Sequence, residues 1–139
     1  MTVSDGRSGW VATNPAASGD ELWVSTSDGG GLFKLAINSS GQVSTTPMGG
    51  TSFPNGAGGI VFNPSGQPYV IALPGPLPTD PLSSARLLTL PAGTSSWTDA
   101  GGDSIGSYAS WPTCVTMTAK GLILIASDED FAVYGFPFA

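Results

Sequence analysis

The sequence predicts an all-β domain made of three four-stranded, blade-like repeats. Three observations carry this prediction. Twenty glycines and 12 prolines in 139 residues cut the chain into short apolar runs, and no segment keeps a helical period between caps. Charged residues are 10% of the chain and hydrophobic residues 40%; the usual charged share is ~25%, and such low charge points to many short strands joined by tight turns, the almost wholly apolar inner ones covered on both faces by stacked repeats. Finally, one pattern recurs at residues 9–25, 59–72 and 114–126: an apolar run, a turn rich in Asn, Pro, Ser or Gly, and a second apolar run.

The whole of 1–139 reads as one domain. Its first repeat covers roughly 9–50. Residues 10–13 make a short strand, and Asn14, Pro15 and the Ser18, Gly19, Asp20 run make a loop, because Asn and Asp tolerate left-handed backbone and Pro fixes φ. Residues 22–26 are β-branched and aromatic and form the second strand. Asp28 and Gly29 supply the positive φ of a type I′ hairpin turn, after which 32–37 return. A turn at Asn38 to Gly41 leads into 42–46, a polar edge strand, and 47–59 connect to the next repeat. The glycine clusters at 29–31, 49–50 and 58–59 read as turn glycines, since they match neither a GxGxxG before a helix nor a Walker loop.

The second repeat covers roughly 58–102. It has a strand at 60–62, a turn from Asn63 to Gly66, and a strand at 69–73. Four prolines between 74 and 81 predict a stiff, exposed insertion. Residues 86–90 return, and 96–99 form the polar fourth strand. The third repeat, 113–139, has strands at 115–118, 122–126 and 131–134, with turns at 119–121 and 127–130. Val11, Val61 and Thr116 stand as equivalents, 50 and 55 residues apart. The third repeat has no fourth strand of its own, and residues 2–4 around Val3 are available to supply it, in the same chain or a neighbour.

Repeats of ~40–50 residues with four strands describe blades of a β-propeller. A β-sandwich or jelly roll is the alternative, because it also yields short strands at regular spacing. The run Asn63-Pro-Ser-Gly-Gln-Pro-Tyr-Val70 is similar to the Asn-Pro-x-Gly-x-aromatic-Val blade signatures of propellers of the NHL and gluconolactonase kind. That resemblance implies a propeller fold. It implies no activity, because the Asp, Glu, Asn and His positions that carry a metal or a base in those families are missing here. Propellers usually close with about 4–8 blades, so three predict a ring completed by oligomerisation, as a homo-oligomer or in a larger protein assembly. Val3, Phe136 and Phe138 are the candidate interface residues.

Composition narrows the function. Net charge is −6, and the four basic residues, Arg7, Lys34, Arg86 and Lys120, are scattered, which argues against nucleic acid or an anionic membrane as partner. No apolar run approaches ~18 residues and the N-terminus has no h-region, so the sequence predicts a soluble protein with no membrane insertion and no signal peptide. The chain has no histidine, the commonest general base and metal ligand, and Ser-His-Asp catalysis is therefore excluded. Cys114 is the single cysteine; it allows neither an intrachain disulfide nor a cysteine zinc site and reads as a buried thiol. No cofactor is implied, and the chain reads as a non-enzyme.

Two candidate sites remain. Asp128 and Asp130, beside Glu129, are carboxylates that with backbone carbonyls would suit calcium, but a plain hairpin tip is the preferred reading, because the aligned turn at Ser27 to Gly30 carries only one acid. Trp97, Tyr108 and Trp111 are aromatic residues in polar surroundings; structural packing is the first reading of each, and resemblance to propeller lectins implies the other, that they stack on a glycan. The low charge and abundant Gly, Ser and Thr resemble small virion proteins of phages, such as decoration or tail components. The sequence thus predicts a structural assembly protein, with a carbohydrate-binding propeller as the alternative.

Overall fold

The computed structural model describes residues 9–27, 31–75, 84–100, 106–107, 112–127 and 133–136. All regular structure among them is β. The first sheet runs β1 (Val11–Thr13), β2 (Asp20–Ser25), β3 (Leu32–Ile37) and β4 (Val43–Pro47), paired in that order. In the second, β5 (Ala57–Phe62), β6 (Pro68–Ala72), β7 (Ser84–Thr89) and β8 (Thr98–Asp99) follow one another, and β9 (Gly106–Ser107) adds to the start of β7. The third contains β10 (Pro112–Met117), β11 (Ile123–Ser127) and β12 (Val133–Phe136). Every pairing is antiparallel.

Local chemistry explains the strand ends. Asn63 Oδ1 accepts from the backbone N–H groups of Ser65 and Gln67, while Gly66 takes φ 86°. Asn38 repeats this with Ser40, Gln42 and Gly41 at φ 76°. Thr118 Oγ1 plays a similar part by accepting from Leu122 N–H, with Gly121 at φ 80°. Such turns offer the backbone an alternative to the ladder, which is why the strands stop there. Pro47 ends the edge strand β4, where its missing donor costs no ladder bond.

The sheets stack face to face in chain order. One core cluster joins the first two: Trp23 and Leu32 meet Ile60, Val70, Ala72 and Leu88. A second lies on the opposite face of the middle sheet, where Tyr69, Ile71 and Leu87 meet Ile123 and Ile125. Alternation along β6 sends Val70 and Ala72 one way and Tyr69 and Ile71 the other. The middle sheet is therefore covered on both sides, and its near-continuous apolar sequence follows from that. The described sheets form an open stack of three, neither a closed propeller nor a two-layer sandwich.

Three sequence expectations need correction, and one strand had none. Gly58 and Gly59 are strand residues of β5 and not turn glycines. A Cβ at Gly59 would run into the Val115 side chain, so the absent side chain is what lets β10 lie against β5. Pro74, at the head of the proline-rich insertion, is fully buried and its neighbour Gly75 is buried; residues 76–83 lie outside the described ones. The strand β9 had no sequence signal, since Gly106 and Ser107 have low β propensity and are held by the ladder to Ser84 and Ala85. The equivalence of Val11 with Val61 is also out by one residue. The last pairs before the turns are Thr13 with Leu22, Phe62 with Pro68, and Met117 with Ile123. Counting back from them, Ala12 matches Val61 and Thr116, and Val11 matches Ile60 and Val115. One residue of slip exchanges the faces of a strand, so this decides which side chains point toward which sheet.

Candidate functional site

Where the first strands of the three sheets converge, a shallow cavity of about 510 Å³ opens, lined by Val11, Thr13, Pro15, Phe62 and Met117 among others. A smaller one of about 330 Å³ adjoins it and adds Pro64, Thr118 and Gly121. The surroundings are methyls, rings and prolines. The hydroxyl of Thr118 already accepts from Leu122 N–H at 3.0 Å. Such a lining offers apolar contact and no charged group for acid–base chemistry.

Polar organisation lies nearby. Glu21 Oε1 accepts from the Trp23 indole N–H at 2.9 Å and from the Asn14 amide at 3.0 Å. Burial acts to raise the Glu21 pKa, but the two donors and the positive charge of Lys34 outweigh it and hold the carboxyl below its ordinary value of 4.5. The carboxylate is thus kept ionised, as an acceptor that fixes the Trp23 ring and ties the β1–β2 loop to the sheet. A lowered pKa opposes a general-acid role at neutral pH.

A buried seam joins the first two sheets. Ser25 Oγ accepts from Trp10 N–H at 3.0 Å and donates to the Gly58 carbonyl at 2.6 Å. Ala57 N–H donates to the Thr26 carbonyl at 2.9 Å. The neighbouring Thr26 hydroxyl is buried with no hydrogen-bond partner among the described residues.

Of the sequence-predicted ligand residues, Trp97 is described, while Tyr108 and Trp111 lie outside the described residues. The Trp97 ring is half-buried. It stands edge-on to Phe53 at 5.0 Å and to Trp23 at 6.3 Å, and its indole N–H donates to the Met48 carbonyl at 2.8 Å. It thereby closes the rim of the first core. Phe53, fully buried, is part of that core although it sits in a connection to which the sequence assigned no role. Asp128, Asp130, Val3 and Phe138 also lie outside the described residues, and Phe136 is described only as the backbone end of β12. Among the described residues no three metal-ligating side chains converge, and no helix is long and apolar enough to cross a membrane.

Sequence reasoning missed Ser25, the Glu21–Trp23–Asn14 contacts and Phe53. A small polar residue within an apolar run was the one available signal for Ser25. Comparison with protein-family models, with curated proteins and with solved structures found no match.

Proposed function

We propose that the chain is a non-enzymatic structural module that works by assembling through the faces of its β-sheets, in the manner of a virion decoration or tail component. On this reading its three sheets are propeller-type blades, and further subunits complete the ring. The observation that carries the proposal is the outward face of the first sheet. Val11 is 63% exposed, Val43 45% and Ile37 38%, on a face where hydrophobic side chains predominate. The half-buried Leu22, Val24, Phe33 and Leu35 lie between these three on the same face, and an apolar face of this extent marks an interaction site more often than an idle one. The sequence adds support, since a chain with no histidine and so few charges has little equipment for catalysis.

Particle mass in solution tests the proposal. Sedimentation should give a multiple of 14.0 kDa, and the melting temperature should rise with protein concentration. A monomer whose melting is independent of concentration overturns it. The alternative, a carbohydrate-binding propeller using Trp97, Tyr108 and Trp111, has less support, because the Trp97 ring and its N–H are engaged in packing. A glycan array read by tryptophan fluorescence tests it, and silence across sugars removes it.

A further inference from the structure

We infer that the outward face of the first sheet is a docking surface for the third sheet of a second copy of this chain, so that two copies join head to tail through two equal contacts. This rests on the assembly reading above and names its surface and its partner.

Aligned on the last pair before each turn, the three sheets use equivalent positions in the same way. In the third sheet, Val115, Met117, Ile123 and Ile125 face the sheet before it. In the second, the matching Ile60, Phe62 and Val70, with Leu88 across the ladder, also face the sheet before. The matching residues of the first sheet are Val11, Thr13, Leu22 and Val24, with Phe33 across the ladder. None of them belongs to either core cluster. Two cross-strand rows describe this face: Val11, Val24, Phe33 and Pro47, then Thr13, Leu22, Leu35 and Thr45. Ile37 and Val43 extend it, and its charge, Asp20, stands opposite Ile37 at the strand end.

The contrast with the covered face is informative. The side of the first sheet that meets the second carries Glu21, Ser25 and Lys34 beside Trp23 and Leu32, so the uncovered side is the more apolar of the two. A sheet whose solvent side is more apolar than its core side inverts the ordinary alternation, unless that side is also buried in use.

The occupant follows from the same equivalence. Within the chain, each preceding-sheet face is covered by the following-sheet face of its neighbour, through Ala12, Trp23 and Leu32 in the first sheet and Val61, Tyr69 and Leu87 in the second. The third sheet's own following-sheet positions, Thr116 and Leu124, have no sheet beyond them among the described residues. A second copy presents them. Each contact covers roughly 250–300 Å², from the three described strands of the third sheet, ~4.8 Å apart and ~17–20 Å long. Two contacts per pair give roughly 500–600 Å² per copy, or about 1,000–1,200 Å² in all, which reaches the ~1,000 Å² expected of a specific interface. Six sheets also fall within the range of ~4–8 that closes a propeller.

The test compares the wild-type chain with Val24→Asp and Phe33→Glu, at the centre of the face, and with Val11→Asp at its most exposed position. Circular dichroism reports the fold, and Val11→Asp guards against loss of folding in the other two. The inference expects a wild-type dimer, with folded variants whose dissociation constant rises at least about tenfold. In a Cys114→Ser background, a chain carrying both Val11→Cys and Thr116→Cys should oxidise to a covalent dimer, while a chain carrying Val11→Cys alone should not. A monomeric wild type overturns both this inference and the assembly reading. A dimer that survives all three charge variants overturns this inference alone. A covalent dimer from Val11→Cys alone also overturns it, by showing two first sheets packed on each other.

Discussion

Removing one oxygen atom tests how the first two sheets are held together. Ser25 is fully buried, and its hydroxyl bridges the Trp10 N–H and the Gly58 carbonyl. Ser25→Ala keeps the shape and deletes both bonds. Leaving a buried polar group without its partner costs about 1–3 kcal/mol. Trp10 is only half-buried, so its N–H regains some bonding to water, and the two losses together come to about 2–4 kcal/mol. At about 2–4 °C per kcal/mol for a chain approaching 150 residues, the midpoint should fall by roughly 5–15 °C. Ser44→Ala is the control, since its exposed hydroxyl makes a long 3.4 Å contact with the Ala36 carbonyl, and it should stay within about 0.5 kcal/mol of wild type. The assay is thermal and urea unfolding of both variants, followed by tryptophan fluorescence. If Ser25→Ala melts with Ser44→Ala, the Ser25 hydroxyl does not hold the seam, and the first sheet is placed by apolar contact and the Ala57–Thr26 backbone bond.

Other perturbations follow from the same geometry. Gly59→Ala sets a methyl into Val115 and should destabilise by about 1–3 kcal/mol in urea unfolding, whereas Gly19→Ala, with open space around it, should be neutral or slightly stabilising. Trp97→Phe keeps a ring beside Phe53 and Trp23 but abandons the Met48 carbonyl, and should cost about 1–2 kcal/mol by thermal melting. Glu21→Gln should matter only where the carboxylate is charged. Its folded pKa lies below the ordinary 4.5, so its contribution is present above pH 4.5 and is lost as pH falls through the lowered folded value. Melting curves of wild type and variant should therefore differ by less than about 1 kcal/mol at pH 7, because solvent screens the group, and should converge in acid.

How much of this was legible in the sequence differs from element to element. Asn63, Asn38 and Gly66 announced their turns, because the conformations they stabilise are local and their chemistry is carried by one or two residues. The run 69–73 announced a strand buried on both faces, since alternation vanishes only when both sides are covered. Gly58 and Gly59 look the same in sequence as glycines of a turn. What separates them is the approach of Val115 from another sheet, and no local pattern encodes that distance.

The candidate surface divides in the same way. Composition and periodicity by themselves determined an antiparallel all-β chain of short strands, because strand pairing and turns depend on neighbours close in sequence. Tertiary structure alone decided which apolar face has no sheet over it among the described residues. In β3, Leu32 and Phe33 are adjacent and equally hydrophobic, yet one is fully buried against the second sheet and the other points away from it. Their fates diverge through stacking between sheets far apart in the chain, and a single residue of register reverses them.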